Sequence, residues 1–233
     1  MDFFTSLTER FIKVCDGLKG KSFPYNESLA WNDLGYNQVL LQRYTKYELD
    51  GVGFNLVTTS PLTDETVVFG DDLGDIKSNR KFARVTLIQV DDIAETQDTY
   101  DLLKKLDFIK YHISPEGYMM RSTSKTHKEA VRVSKEALKN GMSFEKIGDL
   151  FIKKYKENPT VKAVRVIFIT DPKTDFSELE AIAVKNHEIT EALNQVMNNV
   201  MFDCDNCNLK AICDEVEGLK ELHFKSAKEN NSL

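Results

Sequence analysis

Apolar positions recur at three- and four-residue steps over residues 5–19, where Leu7, Phe11, Val14, Cys15 and Leu18 share a face. An amphipathic helix ending at Gly20 is predicted there, with Cys15 packing into the core. A second helix is read through Leu29, Trp31, Leu34 and Tyr36 towards Leu41. The pattern then turns to β-branched runs at 53–58, 66–69 and 83–90, separated by Ser60-Pro61 and Gly70-Asp71-Asp72, which predict three strands. Helical spacing returns over 97–111 through Tyr100, Leu103, Leu106, Phe108 and Tyr111, and 117–121 reads as another strand, its Met119 and Met120 in the core.

Further on, Ser143 caps a helix through Phe144, Ile147, Leu150, Phe151 and Tyr155, which Asn158-Pro159 ends. Residues 161–170 form the most strand-like run of the chain. Asp175-Phe176-Ser177-Glu178 resembles a capping box and opens a long helix with apolar positions from Leu179 to Val200, His187 lying on its surface. The expected fold is α/β, or α+β: a mixed sheet flanked by helices over 1–200, followed by a cysteine-rich metal-binding lobe and tail over 201–233.

Composition narrows the class. With 41% hydrophobic and 29% charged residues, the 233-residue chain reads as globular, and no apolar run approaches the roughly 18 residues of a membrane span. Its first residues lack a secretory pattern, so a cytoplasmic protein without membrane partners is expected. The net charge is −6, yet residues 121–165 hold twelve Lys and Arg against five Asp and Glu. Within that stretch Arg121, Lys125, Lys128 and Arg132 are candidates to bind an anionic cofactor such as a nucleotide tail, or an acidic electron-carrier protein. The competing reading is a solvated helix face. Nucleic acid is excluded as a partner, because the chain is acidic and lacks aromatic-basic interleaving. The aspartates at 71, 72, 75, 91 and 92 lack a calcium-loop pattern and read as a solvated rim.

Chemistry concentrates near the C-terminus. Three of the four cysteines, Cys204, Cys207 and Cys213, fall within ten positions, with His223 ten residues beyond. A Cys-x-x-Cys turn lets two thiolates converge on one metal, Cys213 can return a third sulfur, and His223 can complete the shell. A redox-active thiol loop or a disulfide are the alternatives, the latter disfavoured in a reducing compartment. Zinc accepts a Cys3His shell, whereas the irregular spacing suits a 4Fe-4S cluster better.

The loop and the segment before it resemble the middle domain of the acetyl-CoA synthase (beta) subunit of the carbon monoxide dehydrogenase/acetyl-CoA synthase complex, as a truncated homologue. Residues 130–141 and 147–151 are similar to that family, as are 47–51 and 82–87. In the family a Cys-x2-Cys-x8-Cys-x9-Cys array holds the iron–sulfur cubane of a nickel-containing cluster; here the array runs Cys204, Cys207, Cys213, His223, with a middle gap three residues shorter. The resemblance implies the same ligand positions. The family's nickel-binding Cys-Gly-Cys motif does not occur in these 233 residues, and a tryptophan associated there with coenzyme A is Ala130 here.

The functions expected are therefore an iron–sulfur protein for electron transfer, or an accessory role in anaerobic one-carbon or corrinoid metabolism with a redox or corrinoid protein as partner. A zinc-stabilised protein-interaction module is the alternative, and an enzyme acting on a coenzyme A thioester through the basic segment is a third reading. No P-loop, Gly-x-Ser-x-Gly elbow or His-Glu-x-x-His pair is present, so no catalytic residue is assigned.

Overall fold

A seven-stranded mixed sheet lies between helices in a computed structural model that describes residues 5–35, 44–91, 93, 97–123, 126–197 and 210–215. In chain order the elements are α1 (Thr5–Cys15), β1 (Gly20–Pro24), β2 (Thr45–Thr58), β3 (Glu65–Phe69), β4 (Arg80–Val90), α2 (Gln97–Ile109), β5 (Tyr118–Ser122), β6 (Lys128–Ser134), α3 (Lys135–Lys139), α4 (Phe144–Lys156), β7 (Val161–Ile169), α5 (Phe176–Met197) and α6 (Lys210–Glu215). The strand order is β1-β3-β7-β4-β2-β6-β5, parallel at β2/β4 and β3/β7 and antiparallel elsewhere.

Alternation along β4 separates the two faces. Phe82 stacks on Phe144 of α4 and Phe168 of β7, with centroids 6.1 and 6.3 Å away, while neighbouring Lys81 lies over Phe176 of α5. Thus α4 covers one face and α5 the other, where Arg10 of α1 pairs with Glu178 of α5 at 2.7 Å. Each buried phenylalanine contributes roughly 1.5–3 kcal/mol. The close seat of α4 depends on Gly148, where a Cβ would stand 2.0 Å from Thr66 Oγ1. Asp72, read from sequence as part of a solvated rim, instead accepts the Phe144 N–H at 2.8 Å and ties the β3–β4 loop to α4.

The helices expected from capping signals are present. Ser143 Oγ accepts the Lys146 N–H, and Asp175 Oδ1 accepts the Ser177 and Glu178 N–H groups. The helix expected through Leu29 and Leu34 does not form. Only Glu27–Leu29 makes a 3-10 turn, and the backbone that follows bonds to distant partners: Trp31 N–H to Lys146 O and Leu34 N–H to Ser114 O. Residues 36–41 of that reading lie outside the described ones.

After α5 the chain is described again at α6, which packs against α5 with Ile212 8% exposed. The remainder of the expected cysteine-rich lobe lies outside the described residues. Among the described residues no helix is long and apolar enough to cross a membrane.

Candidate functional site

Arg121, Lys128 and Arg132 of the basic segment lie on strands rather than on a helix face. Residues 128–134 form β6, whose exposure alternates, so Lys128, Ala130 and Arg132 face solvent while Glu129, Val131 and Val133 face inward. Strand register sets two rows of exposed positions on the face that α5 partly covers. Lys81, Asp50, Ala130 and Arg121 lie in one, and Glu48, Arg132 and Met119 in the next. They line a shallow groove of 520 Å³ that also includes Arg80. Arg132 pairs with Glu48 and Arg80 with Asp71, at 2.7 and 2.8 Å, whereas Arg121 has no ion-pair partner among the described residues. Of the four predicted binding residues, Arg121, Lys128 and Arg132 thus share one face; Lys125 lies outside the described residues. Lys81, Asp50 and Glu48 were missed, because only register brings them there.

On the opposite face a polar network is buried. Arg84 donates from Nε to Glu129 Oε1 at 2.9 Å and from Nη2 to Oε2 at 2.7 Å, with neither side chain exposed. The two strands are separated by β2, where Gly51 faces Glu129 and Gly53 faces Arg84. A Cβ on Gly53 would stand 1.9 Å from Glu129 Oε2, so the missing side chain opens the path over which the pair meets. Arg84 Nη1 also donates to Thr86 Oγ1 at 2.7 Å, Ser122 donates to Glu129, and the guanidinium lies 4.9 Å from the Phe151 ring centre. Burial opposes the Arg84 charge, but the neighbouring carboxylate of Glu129 more than offsets it, so the Arg84 pKa is raised.

Beside this pair stands a second cluster. Lys110, with no exposure, donates to Asp107 Oδ1 at 2.7 Å and reaches His127 Nδ1 at 3.5 Å. Burial lowers the Lys110 pKa. Burial first, and then the Lys110 charge, push His127 down to about 4, which keeps its imidazole neutral at pH 7. His127 adopts φ 50°, a left-handed conformation uncommon outside glycine, and its Nε2 is buried without a protein hydrogen-bond partner among the described residues. His187, expected at the surface, is half-buried with its ring centre 5.6 Å from that of His127. A lone arginine inside the apolar run Ala83-Arg84-Val85 was the sequence signal for this network; its partner, 45 residues away, carried none.

Residues 45–174 match the family described as the CO dehydrogenase/acetyl-CoA synthase complex beta subunit. The chain belongs to this beta-subunit family. The match spans both the groove and the Arg84–Glu129 pair, and it ends before α5. The chain matches no curated protein.

The predicted ligand array lies beyond the part matched to the beta-subunit family. Cys204, Cys207 and His223 are outside the described residues, and Cys213 is described only as a backbone position in α6. Among the described residues no group of three His, Cys, Asp or Glu is placed to hold a metal. Cys15 packs against the core, as expected, and burial pushes its thiol up to about 12.

Proposed function

We propose that this beta-subunit relative holds an iron–sulfur cluster on Cys204, Cys207 and Cys213, with His223 as fourth ligand, for electron transfer or an accessory role in anaerobic one-carbon or corrinoid metabolism. Three thiolates and an imidazole are a donor set that a 4Fe-4S cluster accepts, and a neutral histidine ligand raises the potential relative to four thiolates. The structural observation that carries the reading is the packing of α6 on α5: buried Ile212 anchors the helix that bears Cys213, so this thiol-bearing segment is fastened to the α/β body. The segment 201–233 then acts as a metal-binding lobe attached to the body formed by 1–200.

Metal and sulfide analysis of protein purified without oxygen tests this, beside a Cys204→Ala/Cys207→Ala variant. About four irons and four sulfides per chain, lost in the variant, are expected. One zinc and no sulfide would replace the reading with a zinc-stabilised interaction module.

A further inference from the structure

The exposed part of the face that α5 shares with β4, β2, β6 and β5 supports an inference that does not depend on the metal. We infer that it is a docking surface for an acidic protein partner, which lays carboxylates along the line from Lys81 to Arg121. Three observations favour an extended acidic surface over a compact anion. First, Lys81 and Arg121 are separated by three strand spacings, about 14 Å between backbones, which exceeds the size of one phosphate group. Second, the floor between them carries carboxylates: Asp50 is exposed in the same row, and Glu48 pairs with Arg132 in the next. A single anion centred there would face Asp50, whereas a protein surface can place its carboxylates on the cations to either side. Third, the cations come from strands, and among the described residues that line the groove none belongs to a glycine-rich turn or a helix N-terminus.

Charge complementarity identifies the partner. Lys81, Arg121 and Lys128 are exposed on this face and no salt bridge among the described residues engages them, so together they offer positive charge to an incoming acidic surface. Ala130, small and exposed between them, leaves the backbone of β6 open to close approach. Such a surface accelerates encounter and fixes orientation more than it adds affinity, so binding is expected to weaken as salt rises.

The experiment measures binding of a fluorescent oligo-glutamate peptide to the full chain in low salt. Wild type is compared with Lys81→Glu/Arg121→Glu and with Lys19→Glu/Lys21→Glu, which removes the same charge at the opposite edge of the sheet. All four positions are exposed, and circular dichroism checks each fold. The surface reading expects about tenfold or greater loss in the first variant and less than about twofold in the second. Equal losses in both variants, or no binding by wild type, overturn it. Displacement of the peptide by pyrophosphate at lower concentration than by unlabelled peptide also overturns it, and makes the groove a small-anion site. Self-association of wild type that Lys81→Glu/Arg121→Glu abolishes would instead make the occupant a second copy of the chain.

Discussion

Arg84 of β4 and Glu129 of β6 form a bidentate ion pair across the glycines of β2, with both side chains wholly buried and Nη2 2.7 Å from Oε2. Each charge is tolerable only because the other is present. Removing one partner leaves a bare buried charge, which costs about 3–5 kcal/mol, whereas replacing both by apolar residues of similar volume is often neutral. Arg84→Met and Glu129→Leu are therefore each expected to lower the urea midpoint strongly, and the double variant to recover most of the loss. A double variant no more stable than either single one would show that the pair itself does not set the cost.

His127 imposes a pH dependence. Its folded pKa, about 4, lies below the ordinary 6.5, so between these values the unfolded chain binds the proton and the folded chain does not. The contribution of this group is complete above pH 6.5, falls as pH drops towards 4, and loses nothing further below that. The loss is on the order of 3 kcal/mol at 1.36 kcal/mol per unit. Asparagine tolerates the left-handed backbone, so His127→Asn is the suitable variant. Its urea stability measured from pH 7 to pH 4 should lack this fall; an unchanged profile would remove His127 as its source.

Asp149 acts in the opposite direction. It sits in α4 with no exposure; Oδ1 accepts the Asn26 N–H, and Oδ2 has no hydrogen-bond partner among the described residues. Burial pushes its carboxyl up to about 6 from 3.8, so the folded state takes up the proton first. Its ionisation costs stability above pH 6, and the cost is relieved as pH falls from 6 to 3.8. Asp149→Asn should stabilise the protein by roughly 1–2 kcal/mol at pH 8 and very little at pH 4. A gain equal at both pH values would assign the effect to packing rather than charge.

Cys15 offers a kinetic test. A thiol pushed up to about 12 is almost wholly protonated at pH 8. In a Cys204→Ala/Cys207→Ala/Cys213→Ala variant, the remaining thiol should react with a disulfide reagent more than about a hundredfold slower than free cysteine, and quickly after unfolding. Rapid reaction in the native state would mean that α1 does not shield it.

Sequence pattern reaches some elements and not others for physical reasons. The helices opened by Ser143 and Asp175 were legible because their caps and apolar faces are local. Strand β6 was hidden: Lys128, Arg132 and Lys135 follow helical spacing, and the inward position at Glu129 carries a charge, which breaks the apolar alternation of Val131 and Val133. Only Arg84, remote in sequence, makes that charge an interior one. The loop at Trp31 failed for a related reason, since its backbone groups are satisfied by Lys146 and Ser114 rather than by near neighbours. The Arg121–Arg132 surface was legible in composition, but Lys81 and Asp50 join it through register alone.

The position of β7 constrains how a nascent chain can fold. Among the described strands it alone joins β3 to β4, so before residues 161–169 leave the ribosome the described sheet exists at most as two pieces, β1–β3 and β4–β2–β6–β5. Each piece ends in an unpaired strand rich in apolar side chains, the kind of edge that recruits other chains. Synthesis of this protein therefore passes through a vulnerable interval that closes only when β7 arrives, and slowing translation ahead of Val161 would lengthen the time in which a chaperone must guard those edges.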